Sequence, residues 1–279
     1  MDVLERVSRF WQGYGGAKTV IGRSVCGQPI YALFCGVGRP RILVQCAIHA
    51  REWVTALLAE EWLGRGMPVG SAAFVPLADP DGAAIALRGE VFLRTLPPAR
   101  ASFLRRVNGG RPFALWKANA DAVDLNVNFP ARWGEGARNV RAPAPENYIG
   151  PHPFSEPETR ALRDLTLRFR PDAALAYHTK GREIYWEFGQ RGRARRRDAA
   201  LAAALAGETG YAVRLAPHSA GGYKDWCVQA LGIPAFTLEA GSDGLSHPLG
   251  ERELPALAAE NARVPALLAT WLWKKRYGS

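Results

Sequence analysis

A chain of 279 residues that is 48% hydrophobic and 22% charged has ordinary globular composition, which excludes an intrinsically disordered protein. Its 36 Lys and Arg against 26 Asp and Glu leave a net charge of +10, so its surface attracts anions without specifying which. The longest apolar stretches, residues 42–48 and 74–78, fall far short of the roughly 20 residues a membrane helix needs.

The first sixteen residues carry Asp2, Glu5 and Arg6 and no apolar stretch of signal-peptide type, so the expected location is cytoplasmic, with export by another route left open. Residues 29–35 and 41–48 read as strands, with Gly36 to Pro40 turning between them. Residues 53–63 read as a helix: Val54, Leu57, Leu58 and Trp62 share one face, and Gly64 ends it. Residues 73–77 form a short buried strand, and Asp79-Pro80-Asp81-Gly82 reads as a turn. Cys26, Cys35, Cys46 and Cys227 show no CxxC spacing; Cys35 and Cys46 sit in apolar runs and read as small buried hydrophobes.

Residues 132–157, rich in Pro, Gly and Asn, form a long irregular loop of the kind that carries function inside a compact domain. Ser155-Glu156-Pro157-Glu158 then opens a helix, with Ser155 as N-cap. Residues 173–178 and 235–239 are strands, residues 195–208 a helix, and residues 253–275 a closing amphipathic helix. The alternation predicts a single α/β domain over 1–279, with a central mixed, mostly parallel sheet and helices on both faces. Functional loops then belong at the carboxyl ends of the strands.

At one such end stands His49-Ala50-Arg51-Glu52. His49 and Glu52, three apart where a buried strand meets a helix, can converge on one point. A hydrolytic zinc site takes three protein ligands and keeps a position for water. His178, closing the strand 173–178, fits as the third; His152, His218 and His247 sit in turn-like contexts and fit less well. Glu239 closes the apolar strand 235–239. A desolvated carboxyl there has a raised pKa and suits proton transfer, while an N-cap or ion-pair role explains its position equally well.

These residues resemble the zinc carboxypeptidases of the M14 type. Ile48-His49-Ala50-Arg51-Glu52-Trp53, Trp116-Lys117-Ala118-Asn119, Val123-Asp124-Leu125-Asn126-Val127-Asn128-Phe129, His178 and Phe236-Thr237-Leu238-Glu239 occur in that family's order. A narrower similarity, to the γ-D-glutamyl-meso-diaminopimelate peptidases of peptidoglycan, rests on Gly221-Gly222-Tyr223-Lys224-Asp225-Trp226-Cys227, Asn147-Tyr148-Ile149-Gly150-Pro151 and residues 153–159. The resemblance implies that His49, Glu52 and His178 bind one zinc ion and that Glu239 is the general base and acid. It implies that Arg51 contacts substrate or polarises the carbonyl, that Lys117 stabilises the oxyanion, and that Asn126 binds a substrate carboxylate or amide. The implied partner is a peptidoglycan stem peptide or muropeptide, hydrolysed by a monomer.

Two departures from the carboxypeptidase pattern stand out. Val127 occupies the place of an arginine that clamps the C-terminal carboxylate, and valine cannot make that bidentate contact. The segment 215–219 lacks the family's mobile tyrosine, a gap that Tyr223 or His218 is in position to fill. Arg132, Lys180, Arg182 and Lys224 are the replacement anchors to consider. A conventional metallocarboxypeptidase, another zinc amidohydrolase of this fold, or a non-catalytic peptidoglycan-binding protein are the competing readings. A nucleic-acid partner is not expected: the run Arg191, Arg193, Arg195, Arg196, Arg197 has no interleaved aromatics and reads as a solvated face.

Overall fold

The computed structural model describes residues 2–277. Eight strands form one sheet: β1 (Lys18–Arg23), β2 (Pro29–Gly36), β3 (Arg41–Cys46), β4 (Ser71–Val75), β5 (Ala173–His178), β6 (Glu183–Tyr185), β7 (Ala212–Arg214) and β8 (Ala235–Glu239), in the order β1-β2-β4-β3-β5-β8-β6-β7. Pairs β3–β4, β3–β5, β5–β8 and β6–β7 are parallel; β1–β2, β2–β4 and β6–β8 are antiparallel. The sheet is therefore mixed, with its parallel centre buried on both faces. That burial explains why β3, β5 and β8 read as nearly continuous apolar runs.

Ten α-helices accompany the sheet among the described residues: α1 (Val3–Gly13), α2 (Leu58–Arg65), α3 (Pro80–Arg88), α4 (Glu90–Leu93), α5 (Pro98–Asn108), α6 (Pro157–Phe169), α7 (Gly192–Thr209), α8 (Tyr223–Leu231), α9 (Leu254–Asn261) and α10 (Val264–Tyr277). Strand alternation divides the core. Ile42, Val44, Leu175, Tyr177, Phe236 and Leu238 face α1, α2, α7, α9 and α10. Leu43, Ala174, Ala176 and Ala235 face α6, α8 and the loop that carries Leu125 and Phe129. The same parity sends His178 and Glu239 to the second face, beyond Ala176 and Thr237. Burial of each large aliphatic side chain contributes about 1.5–3 kcal/mol.

Several local expectations change. The helix expected over 53–63 is a 3-10 segment, Ala50–Leu57, followed by α2, and it ends at Gly66 rather than Gly64. Asp79 does not merely turn the chain: its Oδ1 accepts from Gly82 N at 2.9 Å and caps α3. The N-cap of α6 is Glu156, not Ser155; the Ser155 hydroxyl instead donates to Glu156 Oε1 at 2.6 Å. The closing helix is two helices, α9 and α10. All four cysteines are free thiols; Cys46 is buried as expected and Cys35 only partly so. Among the described residues no helix is long and apolar enough to cross a membrane.

Candidate metal centre and active site

The parallel strands β3 and β5 are direct neighbours, with Cys46 opposite Tyr177. Their carboxyl ends therefore deliver His49 and His178 to one spot. His49 is the N-cap of the 3-10 segment, and Glu52 within that segment has non-helical angles (φ −100°, ψ 22°). The Thr55 hydroxyl fixes this turn, donating to Glu52 O at 2.9 Å and accepting from Ala47 N at 2.9 Å.

The result is a tight donor set. His49 Nδ1 lies 3.0 Å from Glu52 Oε1 and 3.0 Å from His178 Nδ1, and His178 Nδ1 lies 2.9 Å from Glu52 Oε2. The three residues are 6%, 4% and 1% exposed. All three can offer ligand atoms within 4.8 Å of one another, the only such group of His, Cys, Asp or Glu among the described residues. Burial works against ionisation of Glu52, but the two imidazoles outweigh it and hold its pKa well below the usual carboxylate range. Two imidazole nitrogens facing each other beside a carboxylate fit a shared divalent cation, and two His with one Glu is a recognised catalytic zinc set. The residues present therefore fit zinc.

Asp124 supports this centre from behind. It is fully buried. Its Oδ1 stands 3.2 Å from His49 Nε2, and its Oδ2 accepts from Lys117 Nζ at 2.7 Å and from Asn147 N at 3.1 Å. Burial alone would raise its pKa; Lys117 and His49 prevail and hold it well below the carboxylate range. An ionised Asp on the far nitrogen fixes the imidazole's orientation and sharpens its basicity toward a metal. In the sequence Asp124 is one residue of the 123–129 motif, with nothing to mark it as a partner of His49.

A cavity of about 620 Å³ opens beside His49. Lys117, Asn126, Val127, Lys224, Asp225, Thr237 and Glu239 are among its lining residues. Burial pushes the Glu239 carboxyl up to about 7, against the pull of His178 and Lys117. Asn126 reaches the cavity, but its Oδ1 is already committed to Tyr223 N at 3.0 Å. Lys224 also reaches it, with Nζ 2.5 Å from Asp225 Oδ1 and 3.1 Å from Glu187 O.

Other expected contacts are not brought here. Tyr223 is 0% exposed; its hydroxyl pairs with the Thr166 hydroxyl at 2.9 Å and its ring packs against Phe129. It packs as a core residue and is not part of the cavity lining. Arg132 lies outside the cavity lining, paired with Glu135 at 2.7 Å and stacked over Phe188. Arg51 sits off the lining too, with its guanidinium 3.5 Å from Glu146 and 3.3 Å from Leu115 O. Lys180 and Arg182 are engaged by Asp243 and Glu260. His218 is the alternative that does line the cavity.

Glycine permits the loop packing that shapes the wall. At Gly221 (φ +85°) a Cβ would stand 2.8 Å from Val127 O. Phe129 N donates to Gly221 O at 2.9 Å, and Gly221 N donates to Ala131 O at 2.8 Å, which ties the two loops together.

With this geometry in place, the chain's kinship is clear. It belongs to the zinc carboxypeptidase (M14) family, whose model matches residues 71–263. That span contains His178 and Glu239; His49 and Glu52 precede it and stand on the geometry. Among relatives, γ-D-glutamyl-L-diamino acid endopeptidase 1 of Lysinibacillus sphaericus is 33% identical over 271 residues, covering 89% of this chain and 65% of that protein. The uncharacterized protein YqgT of Bacillus subtilis is 33% identical over 246 residues, covering 79% and 64%. The chain thus spans just under two thirds of the length of both. Among solved structures, bovine thrombin-activatable fibrinolysis inhibitor in complex with tick carboxypeptidase inhibitor superposes with a TM-score of 0.75 at 20% identity, covering 98% of this chain and 95% of that one. Murein-tripeptide amidase from Escherichia coli O157 gives a TM-score of 0.60 at 22% identity, covering 94% and 96%. These two likenesses establish the fold.

Proposed function

We propose that the chain hydrolyses the γ-D-glutamyl–meso-diaminopimelate amide of peptidoglycan stem peptides. The observation that carries this reading is the charged cavity beside the metal donors. It joins a carboxyl poised near neutral pH, Glu239, to a buried ion pair, Lys224–Asp225. A diamino acid with a carboxylate and an amine at its far end is complementary to that pair. Val127, where a carboxypeptidase has its clamp, argues against release of ordinary C-terminal residues. The kinship with a γ-D-glutamyl-L-diamino acid endopeptidase agrees with the proposal.

His49, Glu52 and His178 would hold zinc, which supplies Lewis acidity toward water and the scissile carbonyl. Glu239, as the carboxylate, accepts the proton that water loses when it attacks the carbonyl carbon. It then returns a proton to the departing amine of the diamino acid. The Lys117 ammonium, oriented by Asp124, offsets the negative charge that gathers on the carbonyl oxygen. Lysine acts there as a point charge rather than a planar fork.

The test is incubation of zinc-loaded protein with L-Ala-γ-D-Glu-meso-diaminopimelate and identification of the products by mass. Free diaminopimelate is the expected product. An intact tripeptide, together with cleavage of ordinary C-terminal peptides, would overturn the proposal in favour of a conventional carboxypeptidase.

A further inference from the structure

Val127 leaves the cavity without an arginine at the expected place, yet the cavity does contain one. Lys117, Arg138 and Lys224 are its lining lysines and arginines. Lys117 is neutralised by Asp124 at 2.7 Å and Lys224 by Asp225 at 2.5 Å. Arg138 is exposed and has no carboxylate within ion-pair distance among the described residues. Its guanidinium is therefore the cation of this wall that still lacks a counterion.

Arg138 sits in a built turn. Asn139 N donates to Gly136 O at 3.0 Å, Ala137 N donates to His218 O at 3.0 Å, and Val140 N donates to Asn147 O at 3.0 Å. A Cβ on Gly136 would stand 2.7 Å from Asn139 Oδ1, so glycine is what lets the Asn139 side chain fold back against the turn. Asn139 also lines the cavity, and its Nδ2 is buried without an acceptor. A buried amide donor left unmatched is costly unless a ligand completes it. One short turn thus carries two neighbouring donors, an exposed guanidinium and, just beneath the cavity surface, an unpaired amide, with no acceptor for either.

We propose that the turn 136–139 is the carboxylate receptor of this cavity. In this role Arg138 and Asn139 hold the α-carboxylate of the diamino acid on the leaving side of the scissile amide. They do from the long loop what an arginine at position 127 would do, and both positions line the cavity. This assignment rests on the proposed substrate class and adds the residues that select its free carboxylate. Guanidinium and carboxylate match in a two-bond fork, so the contact favours the acid over its amide.

Binding tests it separately from catalysis. In a zinc-loaded Glu239→Gln background, calorimetry compares L-Ala-γ-D-Glu-meso-diaminopimelate with the analogue amidated at the diamino acid's α-carboxylate. The acid is expected to bind about tenfold or more tightly than the amide. Arg138→Ala should bring that ratio to about one, Arg138→Lys should restore part of it, and Asn139→Ala should reduce it. Zinc content and melting temperature should stay unchanged, since Arg138 is exposed and unpaired. An acid-to-amide ratio that survives Arg138→Ala overturns the assignment, as does equal binding of the two ligands by the starting protein. If the tripeptide binds with the expected ratio but the wild-type protein never cuts it, the receptor stands and the proposed reaction falls.

Discussion

Replacing Asp124 by Asn tests the electrostatics of the centre most directly. The substitution keeps the shape of a fully buried side chain and removes its charge. Two partners lose by it. His49 Nε2, 3.2 Å away, loses the carboxylate that orients its ring. Loss of such a partner costs about 10–100-fold in metal affinity, or roughly 1.4–2.8 kcal/mol. Lys117, 2.7 Å away, keeps its charge without a counterion. Breaking a buried pair costs about 3–5 kcal/mol, and Lys117's partial solvent access places this case near 3. The variant should therefore show weaker zinc binding in competition with a chromophoric chelator and lower stability in urea. Adding Lys117→Met should recover most of the stability and none of the zinc affinity, because only the stranded ammonium is removed. Zinc affinity within about twofold of wild type would refute the reasoning that Asp124 orients the ligand.

Other outcomes follow from the same geometry. Glu239→Gln should lower kcat/KM by about 10²–10⁴-fold with zinc content unchanged by metal analysis, the range for loss of general acid–base catalysis. In the proposed reaction Glu239 acts as the carboxylate and burial pushes it up to about 7, so activity should fall as pH drops through that region. The positive charge of bound metal should shift the acid limb below that value, and a limb absent from the kcat/KM profile down to pH 4 would contradict the assignment. Removing zinc with a chelator should lower the melting temperature, since ligand present at about 1,000 times its Kd stabilises by about 4 kcal/mol.

Glu158 is pushed up to about 8, chiefly by burial, while its oxygens accept from Val25 N at 3.0 Å and Asn119 Nδ2 at 3.2 Å. Its folded pKa lies above the unfolded value, so its stabilising contribution is complete below about 4.5 and is lost as pH rises toward 8. The slope approaches 1.4 kcal/mol per pH unit within that window. Glu158→Gln should flatten the fall in urea stability between pH 5 and 8.5, and an unchanged slope would count against it.

The central strands and the metal donors were legible because burial on both faces writes a parallel strand as an apolar run. A polar residue closing such a run, as His178 and Glu239 do, is conspicuous. Other parts leave no such trace. Strands β6 and β7 have three residues each, and every residue of β7 is exposed, so neither carries a periodic signal. Sequence alone makes Tyr223 a candidate to fill the gap of the missing mobile tyrosine, but the first residue of α8 points into the aromatic cluster around Phe129 while its neighbours Lys224 and Asp225 reach the cavity. Asp124 and Lys117 meet across a loop with no regular repeat, and only the folded chain shows one carboxylate serving both Lys117 and His49. Arg138 lies in the loop predicted to be functional; the lack of a partner separates it from Arg132 and Arg111, and its place in the cavity lining separates it from Arg141. Arg132 and Arg111 are paired with Glu135 and Glu146.

The pairing of Cys46 with Tyr177 has a consequence for assembly. Neighbouring parallel strands from such separated parts of the chain can dock in competing alignments, and a slip by a single residue turns every side chain of one strand to the opposite face. In a slipped pairing of β5, His178 would point toward the helices of the first face while His49 and Glu52 stayed behind. Zinc uptake during refolding should therefore work as a gauge of alignment, since the three donors meet only when β3 and β5 pair in their native register.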